Sequence, residues 1–184
     1  MDSTEKFRQD VNYHIDNSDH ETLHPTAKTQ FANYITPDFA YTRPAAIYAD
    51  AAIYLSARIH QYPLVVADLD SEHSRVWQAF MHMCEQLNLQ PDPHDPTIFV
   101  DRIHDRLGAV SDEIPTLAKQ IINEAESSVN GKRPNAVAAG AYYLASKRLG
   151  TRIKQDLIGN AANTSNLTIR KRYKEIDAEV STPA

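Results

Sequence analysis

The sequence predicts an all-α protein built as two tandem helical repeats, the second ending in a helix–turn–helix. Three observations carry this expectation. Strand-like alternation is scarce, while turn signals recur between segments of roughly 12 to 18 residues with apolar positions at helical spacing. The tract Asn88-Leu-Gln-Pro-Asp-Pro-His-Asp-Pro96 holds three prolines in nine residues, which removes backbone donors and forbids a continuous helix. It divides the chain into residues 1–90 and 91–184. The two halves also resemble each other at an offset of 90. Arg43-Pro44 matches Arg133-Pro134, and Ala46, Ala49, Ala51, Ser56 and Arg58 match Ala136, Ala139, Ala141, Ser146 and Arg148, seven identities in all.

In chain order, helices are expected near 3–16, 25–36, 44–60, 72–88, 95–107, 112–129, 134–149, 152–162 and 165–180, with a short one over 64–70. Those at 44–60 and 134–149 begin beside a proline, which suits a first helical turn. Their alanine and glycine residues let neighbouring helices approach closely. Each repeat is therefore expected to be a bundle around that buried helix, with Tyr54, Leu55, Tyr143 and Leu144 in the core rather than in a ligand site.

With 184 residues and 42% hydrophobic content the chain can bury a core. No window approaches the roughly 20 apolar residues of a membrane span, and Asp-Ser-Thr-Glu follows Met1 where a signal peptide would place a basic segment and an apolar run. The expected location is cytoplasmic and nucleoid-associated. Cys84 is the single cysteine, so neither an internal disulfide nor a multi-cysteine zinc site is expected. The net charge of −5 conceals a division: residues 1–130 carry 9 Lys+Arg against 20 Asp+Glu, and residues 131–184 carry 10 against 4. A basic C-terminal third can dock on phosphates while the acidic remainder is repelled, which orients an encounter with nucleic acid.

The last two segments read as a helical pair. Ile153, Leu157, Ile158 and Ala161 share one helix face, and Ile169, Tyr173, Ile176 and Val180 share the next, so the two helices are expected to bury these faces together. Gly159-Asn-Ala-Ala-Asn163 supplies turn residues between them, and Thr164 or Ser165 can cap the second helix. Off the buried stripe lie Arg170, Lys171 and Lys174, while Leu167 and Thr168 occupy the first turn, the part of a recognition helix that reaches base edges. Arg170 suits guanine or phosphate, Thr168 can hydrogen-bond and Leu167 can pack on a thymine methyl. Lys171, Lys174, Arg152 and Lys154 suit phosphate contacts, which position a protein without reading sequence. Arg172 points partly toward the core.

The run Gly131-Lys-Arg-Pro-Asn-Ala-Val-Ala-Ala-Gly-Ala-Tyr-Tyr-Leu-Ala-Ser146, followed by Leu167-Thr-Ile-Arg-Lys-Arg-Tyr-Lys-Glu-Ile176, resembles the second cyclin-type repeat of archaeal transcription factor B, the counterpart of eukaryotic initiation factor IIB. Residues 43–60 resemble the corresponding helix of that family's first repeat. The resemblance implies two cyclin-like five-helix repeats, 1–90 shortened and divergent and 91–184 carrying the helix–turn–helix. It implies a role in promoter recognition and preinitiation-complex assembly or regulation. In the family, the paired repeats clasp the TATA-binding protein on bent promoter DNA, and the second repeat's helix–turn–helix reads the adjoining element in the major groove. The matching contact positions are Leu167 and Arg170, with Thr168 and Lys171 beside them.

Three departures shape the expectation. Full-length members begin with a cysteine-bearing zinc ribbon that engages RNA polymerase; one cysteine and an immediate helical start leave no room for it, so polymerase contact is not expected of this chain. Where the first repeat carries a basic pair at the start of its last helix, this chain has His73 and Ser74 beside Glu72, so the upstream repeat should grip DNA less. The segment Leu64–Ser71 is about one helical turn shorter than the family's, which degrades the first repeat's own helix–turn–helix. The alternative is a cyclin-like protein-interaction module that has lost DNA binding.

No catalysis, cofactor or metal is assigned. His14, His20, His24, His60, His73, His82, His94 and His104 form no His-Glu-x-x-His pattern and have no cysteine partners at zinc spacing. The pair Asp68 and Asp70 serves acid–base chemistry only if a cleft drives its pKa values apart. The five glycines form no phosphate-cradling loop.

Overall fold

The computed structural model describes residues 3–36, 42–108 and 110–181. Among them are ten α-helices and no strand: α1 (Ser3–Asp16), α2 (His24–Tyr34), α3 (Ala45–Ile59), α4 (His73–Gln86), α5 (Pro96–Leu107), α6 (Glu113–Glu124), α7 (Glu126–Val129), α8 (Pro134–Arg148), α9 (Gln155–Ala162) and α10 (Asn166–Val180). The chain divides into compact units at residues 1–93 and 94–184.

Each unit is arranged around one helix that is apolar on nearly every side, the signature of a buried helix. In the first unit α3 buries every residue from Ala51 to Ala57, and α1, α2 and α4 pack on it. Aromatic rings fill the space between: Phe7 meets Tyr48 edge-on at 5.6 Å, and Phe31 lies 6.2 Å from Tyr48. In the second unit α8 buries Asn135 through Tyr142 continuously, and α5, α6, α9 and α10 surround it.

The two central helices are equivalent at an offset of 89, one residue away from the register that the identities favour. Tyr54 meets Phe80 of α4 at 5.0 Å, and Tyr143 meets Tyr173 of α10 at 5.1 Å. Arg58 lies over the Phe80 ring and Lys147 over the Tyr173 ring. Both helices end in the same left-handed cap, with Gln61 at φ 50° and Gly150 at φ 73°. There Tyr62 N–H donates to Ala57 and Thr151 N–H to Ser146, each at 2.8 Å. Alanine-rich helices coincide readily after a slip of one; ring contacts do not.

Three other expectations are corrected. The stretch 112–129 is two helices, broken at Ala125 (φ −102°, ψ 51°), because the N–H groups of Ser127 and Ser128 turn toward the Glu179 carboxylate at 3.0 and 2.8 Å. Helix α9 starts at Gln155 rather than near 152, since the cap that ends α8 leaves Lys154 extended at ψ 137°. The segment 64–70 holds a single 3-10 turn, Val66–Asp68, closed by Val65 N–H donating to the Asp68 carboxylate at 2.9 Å. Asp68 is thereby a structural cap.

Candidate nucleic-acid interface

Helices α9 and α10 are joined by a tight turn whose geometry follows from its residues. Asn163 adopts the left-handed conformation (φ 52°) that ends α9, with Thr164 N–H donating to Gly159 at 2.9 Å and Asn163 N–H to Asn160 at 3.3 Å. Ser165 then caps α10, its Oγ accepting from Thr168 N–H at 3.2 Å. Of the two cap candidates, Ser165 takes the role.

Gly159 is not a turn residue. It lies inside α9, and a Cβ there would stand 2.8 Å from the Thr164 carbonyl oxygen and 3.3 Å from Asn166 Oδ1. Glycine is required because the start of α10 passes directly over this point. Gly140 on α8 plays the same part farther along, where a Cβ would meet Arg172 Cβ at 2.6 Å and Tyr173 N at 3.0 Å. The two glycines set α10 close against both of its supports.

Polar contacts then fix the pair in place. Asn135, 7% exposed, donates through Nδ2 to the carbonyls of Ala162 at 2.9 Å and Asn163 at 3.2 Å. Arg106 of α5 donates to the Ala161 carbonyl at 3.0 Å. Both satisfy carbonyls that a helix end leaves without partners. At the other end of α10, Arg148 pairs with Asp177 at 2.9 Å. The Glu179 carboxylate accepts from the N–H groups of Ser127 and Ser128 and from the Ser127 hydroxyl at 2.7 Å. Hydrogen bonds from Ser128 and then Ser127 hold its pKa down at about 2.

The outward face of this clamped helix holds the expected residues of α10. Leu167 is 77% exposed; Arg170, Lys171 and Lys174 are exposed and Thr168 is half-buried. Ile169 and Ile176 are fully buried on the opposite side. Arg170 Nε donates to Gln155 Oε1 at 2.9 Å, which steadies the guanidinium beside α9. Arg172 is drawn inward, paired with Glu175 and 11% exposed in its side chain. Arg152 and Lys154 are exposed on the segment leading into α9. An open cleft of about 630 Å³ lies where the starts of α8 and α10 meet, lined by Arg133, Asn135, Asn160, Asn163, Ser165 and Thr168 among others. Such a surface can seat an extended polyanion, with cations along one ridge and hydrogen-bonding groups in the adjoining cleft.

Sequence reasoning missed several residues that build the site. Asn135, Gly140 and Glu179 act through partners 27 to 52 positions away, so no local pattern marks them. Leu157, expected in the buried stripe, is 52% exposed, because α9 turns only Ile158, Gly159, Ala161 and Ala162 inward. Two of the histidines take structural partners: His104 bridges the Tyr142 hydroxyl at 3.0 Å and Asp112 at 3.1 Å, and His82 meets the Tyr34 hydroxyl at 2.6 Å. Burial pushes both phenols up to about 12. No helix among the described residues is long and apolar enough to cross a membrane.

Residues 89–179 match the family described as transcription factor TFIIB repeat. Over 162 residues, 85% of the chain, the sequence is 28% identical to transcription initiation factor IIB 2 of Haloferax volcanii. It is 32% identical over 132 residues to transcription initiation factor IIB 2 of Thermococcus kodakarensis and 33% identical over 133 residues to transcription initiation factor IIB of Methanocaldococcus jannaschii, in each case over 68% of the chain. The chain spans 48%, 43% and 20% of these relatives' own lengths.

Proposed function

Because this chain belongs to the transcription factor IIB family, we propose that it acts in transcription initiation by binding promoter DNA through α10, together with the TATA-binding protein. The observation that carries the reading is the outward face of α10. One helix, propped on α8 and α9 by Gly140 and Gly159, presents Leu167, Arg170, Lys171 and Lys174 to solvent with Thr168 at its first turn.

The division of labour follows from chemistry. Leu167, Thr168 and Arg170 lie in the first turn and a half, the part of a recognition helix that reaches base edges in the major groove. Arg170 approaches a guanine edge or a phosphate, and Leu167 packs on a thymine methyl. Lys171 and Lys174 farther along, and Arg152 and Lys154 ahead of α9, neutralise phosphates on either side. Arg133 at the cleft adds a cation to the same backbone track. The first unit, residues 1–93, with 6 Lys+Arg against 13 Asp+Glu, is repelled by the duplex and leaves contact to the second. The TATA-binding protein supplies the bent DNA on which the second unit meets the adjoining element.

An electrophoretic mobility shift on TATA-containing DNA, with and without the TATA-binding protein and across a salt series, tests the proposal. The expected result is a shifted complex that the TATA-binding protein strengthens and that weakens steeply as salt rises, because phosphate contacts release counterions. Failure to shift promoter fragments at low salt with the TATA-binding protein present rejects it.

A further inference from the structure

Two side chains at the start of α9 reach across to α10. Gln155 Oε1 accepts from Arg170 Nε at 2.9 Å, and the Asp156 carboxylate accepts from Asn166 Nδ2. Asn166 and Arg170 stand four positions apart, on one side of the helix, so α10 is tied to α9 at two successive turns. Gly159, one turn into α9, lets the start of α10 pass directly over it. The backbone that carries Arg170 is thereby fixed, and Gln155 fixes the far end of the side chain. Gln155 is half-buried and Arg170 exposed, so the first restrains the second while the guanidinium still meets solvent.

The chemistry of this hold differs from that at two other arginines bound along α10. Arg148 pairs with Asp177 and Arg172 with Glu175, carboxylates that cancel the charge they hold. Gln155 is neutral. An amide oxygen orients a guanidinium and leaves its full positive charge in place. It also takes one particular donor. With Nε turned to Gln155, the fork shared by Nε and one terminal nitrogen is occupied. The fork of Nη1 and Nη2 remains, and such a pair of parallel N–H groups matches O6 and N7 of guanine. A phosphate contact needs no such selection, because the neighbouring Lys171 and Lys174 supply it as point charges.

We propose that Gln155 is a positioning residue for base recognition: by holding Arg170 Nε it presents the Nη1 and Nη2 fork to a guanine edge and sets the preference for guanine at one base pair. The inference rests on the reading that α10 enters the major groove, and it adds the residue, on the supporting helix, that selects what Arg170 reads. The side chain is ordered before DNA arrives, so guanine meets a donor pair already in place. Without the hold, the same guanidinium swings among rotamers that reach guanine and the flanking phosphates alike. Contact then persists while selectivity falls.

Equilibrium binding of the full chain, with the TATA-binding protein, to TATA-containing fragments varied one base pair at a time tests the proposal. The parent should favour guanine at least about tenfold at the position where Arg170→Ala relaxes preference. Gln155→Met keeps the length of the side chain and removes its oxygen. It should cut that preference to within about threefold, while affinity for the non-guanine fragments and the thermal melt stay as they were. Gln155→Glu keeps an acceptor, so it should retain the preference although its added negative charge weakens binding to every fragment. With Arg170→Ala already present, Gln155→Met should change nothing further. A preference that Gln155→Met leaves intact, or that Gln155→Met and Gln155→Glu lose equally, overturns the proposal and leaves promoter binding through α10 standing. A parent chain that binds no fragment overturns both.

Discussion

Helix α4 closes the first unit and α10 the second, each resting an aromatic ring on a tyrosine of its unit's central helix, yet α4 turns Trp77 and Met81 outward where α10 turns Arg170 and Lys174. The inward sides agree because packing constrains them: Val76 and Met83 on α4 correspond to Ile169 and Ile176 on α10, all four fully buried. The outward sides are held by fewer contacts, Trp77 by Phe80 and Tyr54 and Arg170 by Gln155, and there the two diverge in charge and polarity. The comparison separates what holds the scaffold from what gives each unit its surface chemistry. It also locates the difference in how the helices are held. Unit two uses Gly140 where unit one has the buried Ala51, and a capping Ser165 where unit one has Glu72, which makes no cap bond.

The largest effect that would break this comparison is steric. Gly140→Val drives a side chain into Arg172 and the α10 backbone, and overpacking of this kind is expected to cost up to about 3 kcal/mol in urea unfolding. The corresponding Ala51→Gly should cost only about 1 kcal/mol, the usual penalty of glycine within a helix. Equal losses at the two sites would remove the close approach as a special feature of unit two. Next in size, Arg170→Ala is expected to weaken promoter binding by about 1–3 kcal/mol and to relax preference at one base position, measured on a panel of variant fragments. Uniform weakening across the panel would make Arg170 a phosphate contact instead.

Smaller effects sharpen the contrast at the helix starts. Ser165→Ala should lower thermal stability by about 1 kcal/mol through loss of its cap on Thr168 N–H, while Glu72→Ala at the equivalent position should change little. The smallest effect is at Glu179, whose carboxyl sits at about 2 against an ordinary 4.5. Its folded pKa is depressed, so its contribution is complete above about pH 4.5 and fades as pH falls toward 2. Acid unfolding of Glu179→Gln beside the parent should show a stability gap that is constant at neutral pH and closes in that window. A gap that persists at pH 2 would place the effect in packing rather than in the charged hydrogen bonds.

Much of this fold was legible in the sequence because its signals are local. Proline and turn residues bound helices whose apolar spacing is regular, and α1 spans Ser3–Asp16 where periodicity places a helix over 3–16. The outward positions of α10 were legible for the same reason, since a single buried stripe through Ile169 and Ile176 fixes the opposite face. What escaped depends on contacts distant in sequence. The break at Ala125 answers to Glu179, the glycine inside α9 answers to the passing start of α10, and the buried Asn135 answers to carbonyls at the end of α9. The offset between the repeats escaped because alanines match after a slip of one residue, whereas the Tyr54 and Tyr143 ring pairs do not.

On the proposed function it is α10, and not α4, that meets the bases of promoter DNA through the major groove. Methylation of guanine N7, which projects into that groove, probes it most directly in an interference experiment on a TATA-containing fragment with the TATA-binding protein present. The account predicts that methylation at guanines beside the TATA element blocks complex formation with the parent chain, that Arg170→Ala abolishes this interference at one position, and that Met81→Glu on α4 leaves the pattern unchanged. Interference that is absent, or that Met81→Glu alters and Arg170→Ala does not, would contradict it.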